Sequence, residues 1–394
     1  MADRKQKLLF IPTDNISLRI SRSYYLAKGL ADRFELFFVD WNDVMDAIWA
    51  GGRGSAWNSL ACFTGSLARP LSIRYDERDG FSRAIGPVAQ TAFIRKFVGD
   101  YYAYQFMRWV NRKTLKRFLQ TIDPDIVFFA DGFFLFPWVP MRARAIADMQ
   151  DDFDETRPRI SASEIRYQTE NYSHTFRNYA VSQPTADRLG ALYSTQFQAL
   201  PNGADFATIR GVTPEQIQQL RTQLELAGKT VVTFIGTNAK YDGDFLRELA
   251  LACDRQLPQI HFVIVGNVPS KSLPNVTFAG AKPPAETALY YRLSDIGIIL
   301  TDTRQSKFLY HSVPLKMIQY AAARKPAVSY PVAWAEDLPV RNLAIVERPD
   351  TEVWVQALQQ LQQFEWGEAE EQYWQQYDWA VICDRLADEI SAGL

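Results

Sequence analysis

Five short runs in the second half of the chain are dominated by apolar residues: TVVTFIG (230–236), IHFVIVG (260–266), VTFAG (276–280), IGIIL (296–300) and PAVSY (326–330). A strand with one wet face alternates polar and apolar residues. Runs this uniformly apolar are strands buried on both faces, which points to a parallel sheet covered by helices. The stretches between them carry helical patterning and supply the crossovers such a sheet needs. The first half holds a looser version. KLLFI (7–11) is followed by the polar loop TDNISLR and a helix through Tyr24 to Ala31, then by ELFFV (35–39) and DIVFF (125–129), the last ending at Ala130-Asp131-Gly132. Arg159 to Ala162 and Tyr179 to Ser182 read as weaker strands. The expected fold is α/β, with two doubly wound, Rossmann-like sheets.

Between the two sets stands Pro201-Asn202-Gly203, a turn signal followed by the polar segment TPEQIQQLRTQ. This predicts a first domain over 1–203, a second over 204–365, and a C-terminal segment over 366–394. Its stretch EEQYWQQYDWAVICDRLADEI is amphipathic and helical, and is expected to pack back across the junction. A length of 394 residues favours two domains. The net charge of −2 gives a nucleic-acid role no support. Cys62, Cys253 and Cys383 are far apart, with no CxxC or Cys/His cluster; a zinc site is not expected and a reducing compartment is. The opening MADRKQKLLFIP reads as a first strand rather than a secretory leader. No run of about 18 apolar residues occurs, so no bilayer span is expected.

Three of the apolar runs end in glycine, at Gly236, Gly266 and Gly280. There a backbone must turn tightly or let a ligand approach. The segment SVPLKMIQYAAARKPAV (312–328) puts a lysine into the first turn of an apolar helix, where the helix dipole disfavours a cation. Ser312 can cap that helix and Pro314 fits its first turn. The unbonded N–H groups of such a turn attract anions, and Lys316 adds a full positive charge. Gln319 follows one turn later on the same face. The plain alternative is an ordinary helix with a solvated lysine and a surface glutamine.

Carboxylates are the candidate proton acceptors. Glu164 follows the weak strand at 159–162, and Asp131 closes DIVFFADG at a strand end, where open α/β sheets bind ligands. Asp14 sits similarly after the first strand, to orient an acceptor or to close an Asx turn. Asp152 and Asp154, in DDFDE, read as a solvated loop, and His174, His261 and His311 show no ligand spacing, so no metal is expected. His261 alternates within a strand and reads as structural. Residues 93–122 hold seven Lys or Arg between Arg95 and Arg117 against one acid, Asp100, interleaved with Phe97, Tyr101, Tyr102, Tyr104, Phe106 and Trp109. Such a helix suits an anionic membrane surface or the outer layer of an α/β domain. Single-stranded nucleic acid is a third occupant by chemistry, without support elsewhere in the chain.

Five segments, in order, resemble the GT-B glycosyltransferases: NYAVSQPTADRL (178–189), ALPNGAD (199–205), the run from PQIHFVIVG (258–266) through LPNVTFAGAKPPAETALYYRLSDIGIIL (273–300), PLKMIQYAAARKPAV (314–328) and YDWAVICDRL (377–386). The resemblance spans nearly the whole chain. It implies two Rossmann-like domains facing a cleft, a C-terminal helix crossing back to the first, and an acceptor domain followed by a nucleotide-sugar domain. It also implies a UDP-sugar donor held by Lys316, Gln319, Ser312, His311, Gly236, Thr237 and Thr301, with no cofactor. Many retaining members carry Glu-x7-Glu, and here those positions are His311 and Gln319. The PLKMIQY pattern is instead similar to the xanthan-pathway β-glucuronosyltransferases, whose Arg-Ala-Ser-Asp strand end RISASEIRYQTEN (159–171) resembles. That match puts Glu164 at the base position, with Asp131 as rival, and likens PTDN, with Asp14, to an acceptor-side loop. In those enzymes a tyrosine near the nucleotide stands where this chain has Thr301. The implied activity is inverting, metal-independent transfer, with glucuronic acid as a candidate sugar, to a lipid-linked or glycan acceptor, in the cytoplasm or on the inner face of the plasma membrane. A retaining hexosyltransferase, a sugar-nucleotide 2-epimerase and a non-catalytic sugar-nucleotide-binding protein remain open alternatives.

Overall fold

A computed structural model describes residues 5–12, 21–40, 70–89, 95–134, 136–150, 162–236, 242–269, 272–300, 314–335 and 338–392. The chain divides into two compact units, Met1–Leu200 with Cys383–Leu394, and Pro201–Ile382.

The first unit contains β1 (Lys7–Ile11), α1 (Arg22–Ala31), β2 (Glu35–Asp40), β3 (Ser72–Asp76), β4 (Phe81–Ile85), α2 (Arg95–Ile122), β5 (Ile126–Phe133), β6 (Arg144–Met149), α3 (Ala162–Ser173), β7 (Arg177–Ala180), α4 (Gln183–Tyr193) and β8 (Gln198–Ala199). Its eight strands lie in the order β3-β4-β2-β1-β5-β6-β7-β8. All pairs are parallel except the β3–β4 hairpin. From β1 the chain winds outward to one side, then returns to β5 and winds to the other. The β1/β5 boundary is therefore the point where strand order reverses. One face of this sheet carries a stack of Phe38, Phe10 and Phe128. The other packs Leu9, Val127, Phe129 and Ala147 against Met107, Leu115 and Phe118 of α2.

The second unit contains α5 (Phe206–Arg210), α6 (Pro214–Gln223), β9 (Thr230–Ile235), α7 (Gly243–Gln256), β10 (Ile260–Val265), β11 (Val276–Gly280), α8 (Pro284–Leu293), β12 (Ile296–Ile299), α9 (Leu315–Ala322), β13 (Ala327–Ser329), β14 (Leu343–Ile345), α10 (Thr351–Leu361), α11 (Glu368–Gln375) and the start of α12 (Trp379–Ala392). The strand order is β11-β10-β9-β12-β13-β14 and every pair is parallel. This is the doubly wound order, reversing at β9/β12. The uniformly apolar runs are these strands. Val232, Phe234, Phe262, Ile264 and Ile298 are fully buried.

Several readings change. Ala162 is the first residue of α3, not the end of a strand; residues 159–161 lie outside the described residues. Glu164 in the first turn complements the helix dipole and favours that start. The strand β5 runs on through Ala130-Asp131-Gly132 to Phe133. Gly132, at φ 53°, makes this possible, because a Cβ there would collide with the Tyr172 hydroxyl and the Met149 sulfur. The polar segment after the interdomain turn is α6, begun by a capping box of Thr213 and Gln216. The C-terminal stretch is two helices, α11 and α12, separated where Ala204 and Asp378 form an isolated bridge. Strands β3, β4, β6, β8 and β14 were not anticipated. The first two form a polar edge hairpin, β8 and β14 are only two and three residues long, and RAIADM of β6 mixes charges into its run. The basic-aromatic segment is helical from Arg95 to Ile122, interrupted at Gly99 with φ 77° and ψ 169°.

Candidate functional site

In the second unit the carboxyl ends of β9, β10 and β11 finish in the three glycines. The Gly236 N–H donates to the Val265 carbonyl at 2.9 Å, and the Gly266 N–H donates to the Gly280 carbonyl at 2.9 Å. Gly266 has φ 143°, and a Cβ on it would overlap the Gly236 carbonyl, so only glycine lets these ends close together.

Helix α9 follows the β9/β12 reversal point in sequence. Pro314 is its N-cap, with φ −68° and ψ 109°, and provides no side-chain cap. The expected Ser312 cap is thus displaced: proline's fixed φ suits the extended turn, and the helix starts two residues later. Ser312 itself lies outside the described residues, as do Asp14, Thr237, Thr301 and His311. Lys316, the second helical residue, brings its ammonium 4.5 Å from the Phe234 ring centroid. A Cβ on Gly236 would collide with that Nζ and stand 3.1 Å from Cε. Two residues 80 positions apart in the sequence, Gly236 and Lys316, thus meet at the strand end. A cation beside turning backbone at a helix start suits an anionic group such as a diphosphate.

Gln319 is half-buried and its side-chain carbonyl accepts from the Tyr291 hydroxyl at 2.5 Å. It therefore ties α9 to α8, a structural task the sequence did not disclose. Burial pushes the Tyr291 phenol well up, with the neighbouring Tyr320 adding to it, so the hydroxyl stays a donor at neutral pH.

Sequence reasoning missed what fixes α9. The Tyr320 hydroxyl donates to the Thr233 carbonyl at 2.6 Å, and its ring lies on Gly297 so closely that a Cβ there would sit 2.5 Å from two ring carbons. At the other end of α9, Arg210 Nε donates to the Ala322 carbonyl at 3.1 Å and Arg292 Nη1 to the Ala323 carbonyl at 3.0 Å. These cations occupy the helix C-terminus, where the dipole favours them. The spacing of Lys316 and Tyr320, four residues apart on one helix face, was the available signal.

In the first unit, Asp131 lies in β5 at its carboxyl end, beside the β1/β5 reversal point. Nearby backbone and side chains are closely organised. Arg22 forms a buried bidentate pair with Asp148 at 2.8 and 2.9 Å and donates to the Leu200 carbonyl at 2.7 Å. Gln150 donates to the Ala130 carbonyl at 2.9 Å. Glu164 lies elsewhere, in the first turn of α3, where its Oε1 accepts from Arg108 of α2 and from Gln168 at 3.1 Å. The Arg108 guanidinium also stacks 3.9 Å from the Tyr167 ring centroid. The expectation that Glu164 stands at an open strand end is corrected: the helix begins before it and an arginine takes its carboxylate. His261 is structural as expected, paired with Thr277 at 2.9 Å, with burial pushing its pKa down. His174 stacks on Trp138. Asp152 and Asp154 lie outside the described residues. Among the described residues, no three His, Cys, Asp or Glu side chains gather to hold a metal ion.

Residues 229–363 match the family described as glycosyl transferases group 1. A comparison with curated proteins finds no match. Among solved structures, Anabaena Alr3699/HepE in complex with UDP and glucose is 14% identical with a TM-score of 0.62, over 98% of this chain and 100% of that one. A glycosyltransferase from Rickettsia africae ESF-5 is 12% identical with a TM-score of 0.66, over 99% and 98%. WaaG, a glycosyltransferase involved in lipopolysaccharide biosynthesis, is 12% identical with a TM-score of 0.60, over 98% and 99%. These likenesses establish a common fold along the full chain. The second unit carries the group 1 pattern over residues 229–363, and the two Rossmann-like units have the fold of these glycosyltransferases, the GT-B fold.

Proposed function

We propose that the protein transfers a sugar from a UDP-sugar to a hydroxyl of a lipid-linked or glycan acceptor, with inversion and without a metal ion. The observation that carries the donor half is the contact of Lys316 with Gly236 at the end of β9. The HepE structures with UDP and with UDP-glucose support a uridine donor. Glucuronic acid is the candidate sugar on the PLKMIQY pattern.

The step is a single displacement. The acceptor oxygen bonds to the anomeric carbon as the bond from that carbon to the UDP oxygen breaks. The bonding electron pair leaves with UDP, where Lys316 and the α9 N–H groups offset the growing charge. The acceptor proton passes to a carboxylate. We assign that role to Asp131 in preference to Glu164, because Asp131 lies near the carboxyl end of β5 at the reversal point while Glu164 is bound by Arg108. The first unit then serves the acceptor and the second the donor.

Lys316→Ala tests the donor half. Losing one charge-assisted contact of about 1.5–3 kcal/mol should weaken UDP binding about 10- to 100-fold in calorimetry, with an unchanged fold. Unchanged affinity removes Lys316 from the donor site. On wild-type protein, a donor panel with NMR of the product anomer tests sugar and stereochemistry, and turnover that survives chelator is expected.

A further inference from the structure

Helix α2 has two unlike faces. Inward, Ala103, Met107, Leu115, Phe118 and Ile122 are buried to 1% exposure or less. Asn111 anchors it by exchanging hydrogen bonds with both backbone groups of Ala89, at 2.7 and 3.1 Å, and the Thr114 hydroxyl donates to the Pro87 carbonyl. The outward face is left to solvent and is sorted along its length. Phe97, before the break at Gly99, is 70% exposed; beyond it Tyr101 is 65%, Tyr102 67% and Trp109 56%. After Trp109 the exposed positions are Arg112, Lys113, Lys116 and Arg117, followed by the neutral Gln120 and Thr121. Lys113 Nζ lies 3.5 Å from the Trp109 ring centroid, at the seam between the two halves. From Tyr101 to Ile122 the sequence contains no Asp or Glu.

We infer that this face docks the protein on an anionic phospholipid bilayer, with the aromatic half entering the headgroup–acyl boundary and the cationic half resting on the phosphates. The chain as a whole carries a net charge of −2, so the positive face is local. Aromatic rings that expose most of their area lose water contact in the boundary region, and cations beside them pair with anionic headgroups. A single-stranded nucleic acid would need rings and cations alternating along a groove. Here they are segregated along one exposed helix face beyond the break at Gly99. The helix is already folded and anchored by its inner face, so docking needs no ordering of a coil. No helix among the described residues is long and apolar enough to cross a membrane, and this one lies along it. The inference goes beyond the transfer reaction, and it gives a lipid-linked acceptor a surface on which to be met.

Vesicle flotation of the full chain tests it, using phosphatidylcholine with and without phosphatidylglycerol. Wild-type protein should float with the anionic vesicles and not with the neutral ones, and salt should release it. Changing Arg112, Lys113, Lys116 and Arg117 to Gln should weaken binding by more than tenfold, since each cation near such a surface is worth about fivefold. Trp109→Ala with Tyr101→Ala should weaken it further at a fixed salt concentration. Arg247→Gln with Arg255→Gln, exposed on α7 of the other unit, should leave it unchanged. UDP affinity is measured on every variant and should not move, which keeps this result separate from the donor-site reading. Wild-type protein that ignores anionic vesicles at low salt overturns the inference. So does equal binding to neutral vesicles, equal loss in the α7 variant, or displacement from vesicles by a thymidine oligonucleotide.

Discussion

Glu164 and Asp131 are both carboxylates in the first unit, and their neighbours separate them. Proton transfer to Glu164 would disrupt its contacts with Arg108 and Gln168, whereas Asp131 lies near the carboxyl end of a central strand. Asp131→Asn should therefore lower kcat by about 10²–10⁴-fold with UDP affinity retained, the range for removal of a general base. Glu164→Gln should keep turnover within tenfold and instead cost about 1–3 kcal/mol of stability, as a charge-assisted hydrogen bond weakens. Steady-state kinetics alongside thermal unfolding of both variants decides; the opposite pattern returns the base to Glu164. The two carboxylates were legible as candidates because residue type is a local property, and so was the strand that holds Asp131, whereas Glu164 proves to open a helix. Their ranking was not, because Arg108 reaches Glu164 from 56 residues away.

Helix α9 shows how an element inherits its task from its contacts. Its apolar face, Met317, Ile318, Tyr320 and Ala321, was readable from spacing alone and is fully buried. What holds it in place is the Tyr320 ring on Gly297 and the Tyr320 hydroxyl on the Thr233 carbonyl. Gly297→Ala would put a methyl group 2.5 Å from that ring. The helix must shift, and Lys316, one turn before Tyr320, shifts with it. Overpacking of this kind costs about 1–3 kcal/mol, and UDP affinity should fall together with the melting temperature. Leu249→Ala, a fully buried residue of α7, should lower the melting temperature by a similar or larger amount with UDP affinity retained. If both variants bind UDP normally, Tyr320 and Gly297 do not position Lys316. The inner strands of the second unit, β9, β10, β12 and β13, were readable because both faces are largely buried and their residues are selected for that. The edge hairpin β3–β4 was not, because an edge strand with exposed side chains resembles a loop.

On the scale of the whole molecule, the last helix belongs to both units. Its residues up to Ile382 group with the second unit and those from Cys383 with the first. There Cys383 packs against Gly29, where a Cβ would stand 2.5 Å from its sulfur; the Tyr179 hydroxyl donates to Glu389 at 2.8 Å; and Arg33 pairs with Asp388 at 2.8 Å. Leu386 and Ile390 are buried to 1% or less, worth about 1.5–3 kcal/mol each. Removing residues 379–394 should make the first unit unfold at lower temperature and yield first to protease, while β9–β14 stay protected from hydrogen exchange. Unchanged melting of the truncated protein would separate α12 from the stability of the first unit.

The chain's order of apolar runs, its Pro-Asn-Gly turn and its amphipathic tail determined two doubly wound sheets and a helical end, because burial on both faces of a parallel strand leaves its mark on every residue of that strand. The sequence also singled out Gly236 and Lys316 separately, through a strand end and a misplaced charge. Only the tertiary structure decided that these two touch, that Arg108 binds Glu164, that Gln319 serves Tyr291, and that the aromatic and cationic halves of α2 share one exposed face. Those outcomes depend on which elements become neighbours across tens of residues, and no local pattern of polarity or spacing encodes a neighbour.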